Sequence, residues 1–274
     1  MKMRLKNGKL KVLTLSYDDG VVQDIRLIGI LNKYGIKGTF NINSGMYLPE
    51  DSVRERYYGR MKLSEAKELF INSGHEVAIH GYKHASLNLV DTAEAIYEIL
   101  EDKKAIEKDY GIIARGMAYA FGKFNDTAVD ILEKSQVAYA RTTRSTLSFS
   151  FPDNWLLLNP TCHHNNEKLD ELIKKFVEGP NKWKFPMMFY LWGHSYEFDD
   201  MDNWEVIEKF AAYAGGRDDI WYATNIEIYD YVKAYKSLQM SYDKKMIHNP
   251  SAIDLWFDID DKVYCIKGGE TLKI

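Results

Sequence analysis

Between Lys11 and Tyr235 the chain alternates short apolar runs with longer stretches in which apolar residues recur every three or four positions. The runs Lys11–Ser16, Lys37–Ile42, Glu76–Ile79, Met117–Phe121, Val137–Arg141, a short one near Trp155–Leu158, Met187–Trp192 and Ile220–Thr224 read as strands. The stretches between them read as helices. These are Val22–Tyr34 closed by Gly35, one capped by Ser64 and ended by Gly74, one from Asp91 or Thr92 to about Tyr110, one capped by Asp126, and others near Glu167–Val177, Asn203–Tyr213 and Ile226–Tyr235. On the longest of them Ala95, Ile96, Ile99, Leu100 and Ile106 are the expected inward face. Regular alternation of strand and helix predicts an α/β fold with a parallel sheet, and this many units favours a closed or nearly closed barrel. Beyond about Met240 the pattern changes to two short strands, Ile253–Asp258 and Lys262–Ile266, turning at Asp260-Asp261. Residues 1–240 are therefore expected to form the barrel, and 241–274 a β-hairpin extension packed on it.

The length of 274 residues suits that architecture, since such barrels take about 250 residues. With 36 Lys and Arg against 40 Asp and Glu, the net charge of -4 supplies no basic field for nucleic acid or anionic membranes. Cys162 and Cys265 lie far apart with no CxxC spacing, which supports neither a disulfide framework nor a cysteine zinc site. The first residues lack an apolar leader and no run of about 18 apolar residues occurs, so a soluble, cytoplasmic protein is expected unless the natural chain begins earlier. Nineteen Tyr and six Trp exceed the needs of a core, and such side chains often line sites for sugar-like ligands.

In a barrel of this kind the site gathers at the C-terminal ends of the strands. Four strand ends carry polar groups: Asp18 and Asp19, then His80 with His84, then Tyr119 to Gly122, then His194. On a helix, His-x-x-x-His would put both imidazoles on one face within reach of one metal ion. Adjacent Asp18 and Asp19 point to opposite sides of a strand and so should differ in role, although Asp-Asp-Gly is also ordinary turn chemistry.

These segments also resemble, in order and spacing, the polysaccharide deacetylases, the NodB-homology or carbohydrate esterase 4 family. LTLSYDDG (Leu13–Gly20) resembles its T-F-D-D-G motif, and GIKGTFNIN (Gly35–Asn43) is similar to its second strand. SGHEVAIHGYKH (Ser73–His84) resembles the G-H-E-I-x-x-H-S-x-x-H segment, MAYAFGKFN (Met117–Asn125) the third motif, and LWGHSYEF (Leu191–Phe198) the late histidine motif. The resemblance covers roughly Lys11 to Tyr235 and implies a distorted (β/α)7-8 barrel holding one divalent metal, zinc first, with cobalt or nickel as alternatives. It implies Asp19, His80 and His84 as metal ligands, Asp18 as general base toward the attacking water, and His194 as general acid. The oxyanion would meet the backbone N–H of Phe121, where the family has a tyrosine. Tyr17, Tyr119, Trp192 and Tyr196 flank this chemistry as candidate substrate contacts, with packing in the barrel mouth an equal alternative for Tyr17 or Tyr119.

Two departures stand out. Gly81 replaces the usual Ser or Thr, and Ala118 stands where the third motif has an Arg that pairs with the catalytic Asp. Arg141, at the end of the next strand, is the expected substitute, with Arg115 and Arg144 farther from a strand end. His75 reads as structural and His248 as exposed; His163 and His164 follow Cys162 in a cluster that could suggest metal, but without a second cysteine pair they read as structural. The implied activity is metal-dependent hydrolysis of a C–N bond, foremost N-deacetylation of an N-acetylated sugar. The alternatives are a ring-opening amidohydrolase on the same barrel and a non-catalytic carbohydrate-binding homologue.

Overall fold

The first long apolar run opens a series of alternating strands and helices, so it should be covered on both faces. In a computed structural model, which describes residues 1–53, 59–181 and 184–274, that run is strand β2 (Lys11–Asp18), preceded by a short β1 (Lys2–Arg4). Every residue of β2 past Lys11 is buried. The chain then alternates through α1 (Asp24–Lys33), β3 (Gly38–Ile42), α2 (Leu63–Phe70), β4 (Glu76–Ile79), α3 (Thr92–Tyr110), β5 (Gly116–Ala118), α4 (Asp126–Lys134) and β6 (Tyr139–Arg141). It continues through β7 (Cys162–His163), α5 (Leu169–Glu178), β8 (Met187–His194), the single turn α6 (Glu197–Asp200), α7 (Glu205–Ala214), β9 (Ile220–Tyr222) and α8 (Asn225–Lys236).

The sheet is parallel and ordered β6-β5-β4-β3-β2-β8-β7, with β9 paired to the first residues of β2. Among the described residues no ladder joins β6 to β7; a lone bridge from Arg141 to Leu158 lies at that seam. The result is the expected distorted α/β barrel, curled and left open on one side. Register fixes what happens at its mouth. Asp18 is level with Asn41 on one neighbour and His194 on the other, and Ala118 is level with Arg141. Among the described residues no helix is long and apolar enough to cross a membrane.

Several local expectations fail for identifiable reasons. The run near Trp155–Leu158 is a 3-10 turn, because the Asn154 side chain accepts from the Leu156 N–H at 2.9 Å and closes the chain on itself. The strand in this region is instead β7. Ser64 does not cap α2; its N–H and hydroxyl are taken by the Glu50 carboxylate. Asn125, not Asp126, caps α4. On α3, Ala95, Ile99 and Ile106 are buried, but Ile96 and Leu100 stay 40% exposed. The inward stripe is completed by Glu98 and Asp102, both buried.

After α8 come β10 (Gln239–Met240), β11 (Met246–His248), β12 (Leu255–Ile259), β13 (Lys262–Ile266) and β14 (Thr271–Lys273). β12 and β13 form an antiparallel hairpin whose turn residues Asp260 and Asp261 both have positive φ, 48° and 61°, as a primed hairpin turn requires. β12 also pairs antiparallel with β1, and Leu255, Phe257, Ile266 and Ile247 join Leu5, Val12, Met188, Tyr190 and Tyr231 in a second core shared by the sheet, α8 and the C-terminal strands. Burying each such large apolar side chain contributes about 1.5–3 kcal/mol.

Candidate active site

Asp18 forms the floor of the barrel mouth. It is buried; Asn41 Nδ2 donates to its Oδ1 at 2.8 Å, and Arg141 Nη2 donates to Oδ2. Arg141 is itself fully buried, with the Trp192 ring 4.5 Å from the centre of its guanidinium. Burial pushes the Asp18 carboxyl up, but Arg141 and, after it, the His80 and His194 rings outweigh that and hold it down at about 2. Arg141, level with Ala118 on the neighbouring strand, is thus the arginine that reaches the Asp18 carboxylate. Arg115 lies elsewhere, forked onto Asp230.

Asp19, His80 and His84 bring one ligand atom each within 4.8 Å of one another. They are not on a helix as the spacing allowed. His80 follows the end of β4, and the chain turns through Gly81 (φ 87°) to His84 (φ 62°). This loop is wound on the two acids of α3. Glu98 accepts from the N–H groups of Lys83 and Ala85 at 3.0 and 3.1 Å, and Asp102 accepts from the His80 N–H at 2.9 Å. Asn43 Nδ2 donates to the carbonyls of His80 and Gly81. Asp19 has φ 87°, a conformation costing a non-glycine residue about 1–3 kcal/mol. Arg60 holds it there, donating to its carbonyl and, at 3.0 Å, to Oδ1.

The donor chemistry fits a divalent cation. His80 Nδ1 lies 2.8 Å from the Ala118 carbonyl, which can only accept, so the proton is on Nδ1 and Nε2 presents a lone pair. His84 Nε2 is 3.2 Å from His80 Nε2 and 3.7 Å from Asp19 Oδ1. Burial, followed by the neighbouring His80, pushes the His84 ring below the ordinary histidine value, which keeps it neutral and able to ligate. Two imidazoles and one carboxylate converging in this way form the donor set of a site that leaves positions open for other ligands.

On the other side of Asp18 stands His194, with Nε2 3.8 Å from Asp18 Oδ2. Its Nδ1 donates to Glu197 Oε1 at 3.2 Å, and its backbone N–H points to Oε2 at 3.3 Å. Burial pushes this ring down, but Glu197 and Asp18 outweigh it and raise the histidine above its ordinary value. His163 and His164, expected to be structural, each place Nε2 3.0 Å from Glu197 Oε2. Burial pushes the Glu197 carboxyl up, yet the three rings hold it far below the ordinary carboxylate range. The sequence reading missed Glu197, Glu98, Asp102, Asn41 and Arg60. Glu197 carries a signal, since it lies three residues past His194 where a single turn brings it back onto the ring.

The aromatic residues divide sharply. Tyr17 and Tyr119 are fully buried: Tyr17 stacks on His164, and the Tyr119 hydroxyl donates to the Leu156 carbonyl. Trp192 is buried against Arg141. Tyr17 on β2 and Tyr119 just past β5 are thus directed into packing, and Trp192 on β8 lies over the Arg141 guanidinium. Tyr196 remains partly open, its ring 5.2 Å from His194. Phe121 is 61% exposed with φ 57°, its ring 4.5 Å from His84. The 3-10 turn that follows β5 uses the N–H groups of Gly122 and Lys123; among the described residues the Phe121 N–H donates to no backbone carbonyl.

The polysaccharide deacetylase family model matches residues 6–140. Among solved structures, a Mycobacterium smegmatis protein assigned to the polysaccharide deacetylases superposes with a TM-score of 0.60 at 17% identity, covering 86% of this chain and 95% of that one. A family 4 carbohydrate esterase from Streptomyces lividans, in complex with acetate, is similar with a TM-score of 0.49 at 16% identity, over 74% of this chain and 86% of its own. The Streptococcus pyogenes deacetylase PplD, also in complex with acetate, is similar at 23% identity and a TM-score of 0.46, over 53% of this chain and 61% of its own. At these identities the likeness is one of fold. None of the curated proteins matches the sequence.

Proposed function

We propose that this chain, a member of the polysaccharide deacetylase family by its match over residues 6–140, hydrolyses the acetamide of an N-acetylated sugar. The observation that carries the reading is the row Asp19–Asp18–His194 at the barrel mouth, where an ionised base stands between a cation-binding set and a histidine raised above its ordinary value. Asp19, His80 and His84 would hold the divalent ion, zinc before cobalt or nickel. When bound, such an ion supplies a Lewis acid that polarises a carbonyl and makes water easier to deprotonate.

Asp18 Oδ2 takes a proton from the attacking water, whose oxygen adds to the acetamide carbon. Arg141 and Asn41 orient Asp18, and Arg141 with the His80 and His194 rings keeps it ionised, so it is ready to accept that proton at neutral pH. The Phe121 N–H is available to the carbonyl oxygen as it gains charge. His194, protonated and oriented through Nδ1 by Glu197, gives its Nε2 proton to the nitrogen as the C–N bond breaks, leaving acetate and a free amine. Tyr196 and the Phe121 ring flank this cleft and can pack on a pyranose.

The test is acetate release from N-acetylglucosamine and chitooligosaccharides with zinc, cobalt or nickel supplied. Asp18→Asn should lower kcat by about 10²–10⁴-fold with metal content unchanged. Full activity in that variant would remove Asp18 as base; release from no acetylated sugar, with turnover of cyclic amides, would replace the substrate.

A further inference from the structure

We infer that Arg60 is a positioning residue for the metal site, fixing the Asp19 carboxylate in the orientation that ligates. This rests on the proposed role of Asp19 as a ligand.

Each of the three donors needs something to aim it. His80 is aimed by the Ala118 carbonyl, and the loop carrying His84 by Glu98. Asp19 has the hardest task, because its backbone sits at φ 87° between the end of β2 and Gly20, itself at φ 64°. Arg60 answers both needs at once. Its Nη1 donates to the Asp19 carbonyl, which holds the strained peptide, and its Nη2 donates to Oδ1 at 3.0 Å, which sets the carboxylate rotation. The guanidinium is in turn anchored by Asn43 Oδ1 at 2.7 Å, and Asn43 also binds the carbonyls of His80 and Gly81. One fork therefore links the Asp19 and His80 arms of the site. A planar guanidinium suits three acceptors in fixed directions, whereas a lysine ammonium can meet only part of this set.

A second effect opposes the first: Arg60 is a cation beside a site for a cation, and its charge alone weakens metal binding. Its side chain is 19% exposed, so solvent partly screens that repulsion, while the loss of an orienting partner typically costs about 10–100-fold in affinity. Orientation is therefore the larger effect.

The experiment measures zinc affinity of the full chain by competition with a chromophoric chelator, alongside circular dichroism and thermal unfolding of the metal-free protein. Arg60→Met should bind zinc about 10–100-fold more weakly with its metal-free spectrum retained, and Arg60→Lys should recover part of the loss. Unchanged or tighter binding by Arg60→Met would overturn the inference. If Arg60→Met fails to fold, Arg60→Lys decides alone, and affinity equal to the unaltered protein's would overturn it. If the unaltered protein binds no divalent metal, the ligand reading of Asp19, His80 and His84 fails instead, which is a separate result.

Discussion

The molecule contains two clusters of the same composition, two histidines and one carboxylate, on either side of Asp18: His80, His84 and Asp19, and His163, His164 and Glu197. Their chemistry differs because of what the far nitrogen of one ring meets. His80 Nδ1 faces a carbonyl, so its proton is there and Nε2 turns a lone pair inward. His163 Nδ1 instead accepts from the Asn165 N–H at 3.1 Å, so its proton is on Nε2, directed at Glu197. In the first cluster a ring lone pair and a carboxylate turn toward one space, which suits a cation, whereas in the second a ring N–H already meets the carboxylate. A residue count cannot separate them; one backbone hydrogen bond can.

Removing one ring from each is the severest test of this contrast. His80→Ala should weaken zinc binding on the order of 1000-fold, the share of one ligand in three, whereas His163→Ala should leave it within about twofold. Metal stoichiometry and chelator competition would check it, and zinc held at His163 and His164 would break the comparison.

Asp18 lies between the clusters and depends on Arg141 for its charge. Arg141→Met should cost about 3–5 kcal/mol in denaturant unfolding, because it leaves a buried carboxylate without its counter-charge. The same variant should show an acid limb of activity moved to higher pH, as burial then acts on Asp18 unopposed by the guanidinium.

Smaller effects belong to the second cluster. Glu197→Gln should lower kcat by about 10–100-fold. It should also move the alkaline limb of kcat/KM to lower pH, since the carboxylate is the largest influence raising His194. An unmoved alkaline limb would show that His194 is not the acid read in that profile. Glu197 has a folded pKa below the ordinary carboxylate value, so its contribution to stability is full above about pH 4.5 and lost as pH falls through the folded value. The difference in Tm between the unaltered protein and Glu197→Gln should accordingly narrow on acidification, and thermal scans at descending pH would measure it.

The barrel was legible in the sequence because its strands are buried on both faces and so appear as unbroken apolar runs. β2 and β8 are the clearest cases. Elements ruled by a single side chain were not legible, as with the turn that Asn154 imposes at Trp155–Leu157. At the site, the residues at the ends of β2, β4 and β8 could be named from order and spacing. Of the residues that hold them, Arg141 could be named as well, but Glu98, Asp102, Asn41 and Arg60 could not. Glu98 and Asp102 read as the polar part of a helix until the fold places them under the His80–His84 loop. The roles of the many aromatic residues were hard to read for a related reason. Composition gives the number of rings but not which of them pack, and Tyr17 and Tyr119 are wholly buried.

The pairing of β1 with β12 has a consequence for synthesis. Lys2, Met3 and Arg4 leave the ribosome well before their partners Asp258, Phe257 and Trp256, which follow only after nearly the whole barrel has been made. Until then the N-terminal strand has an unpaired edge, and Leu5 and Val12 lack the cover of Leu255 and Phe257. A nascent chain halted before β12 would therefore hold an almost finished barrel with an adhesive base, a natural target for chaperones or for a second stalled copy.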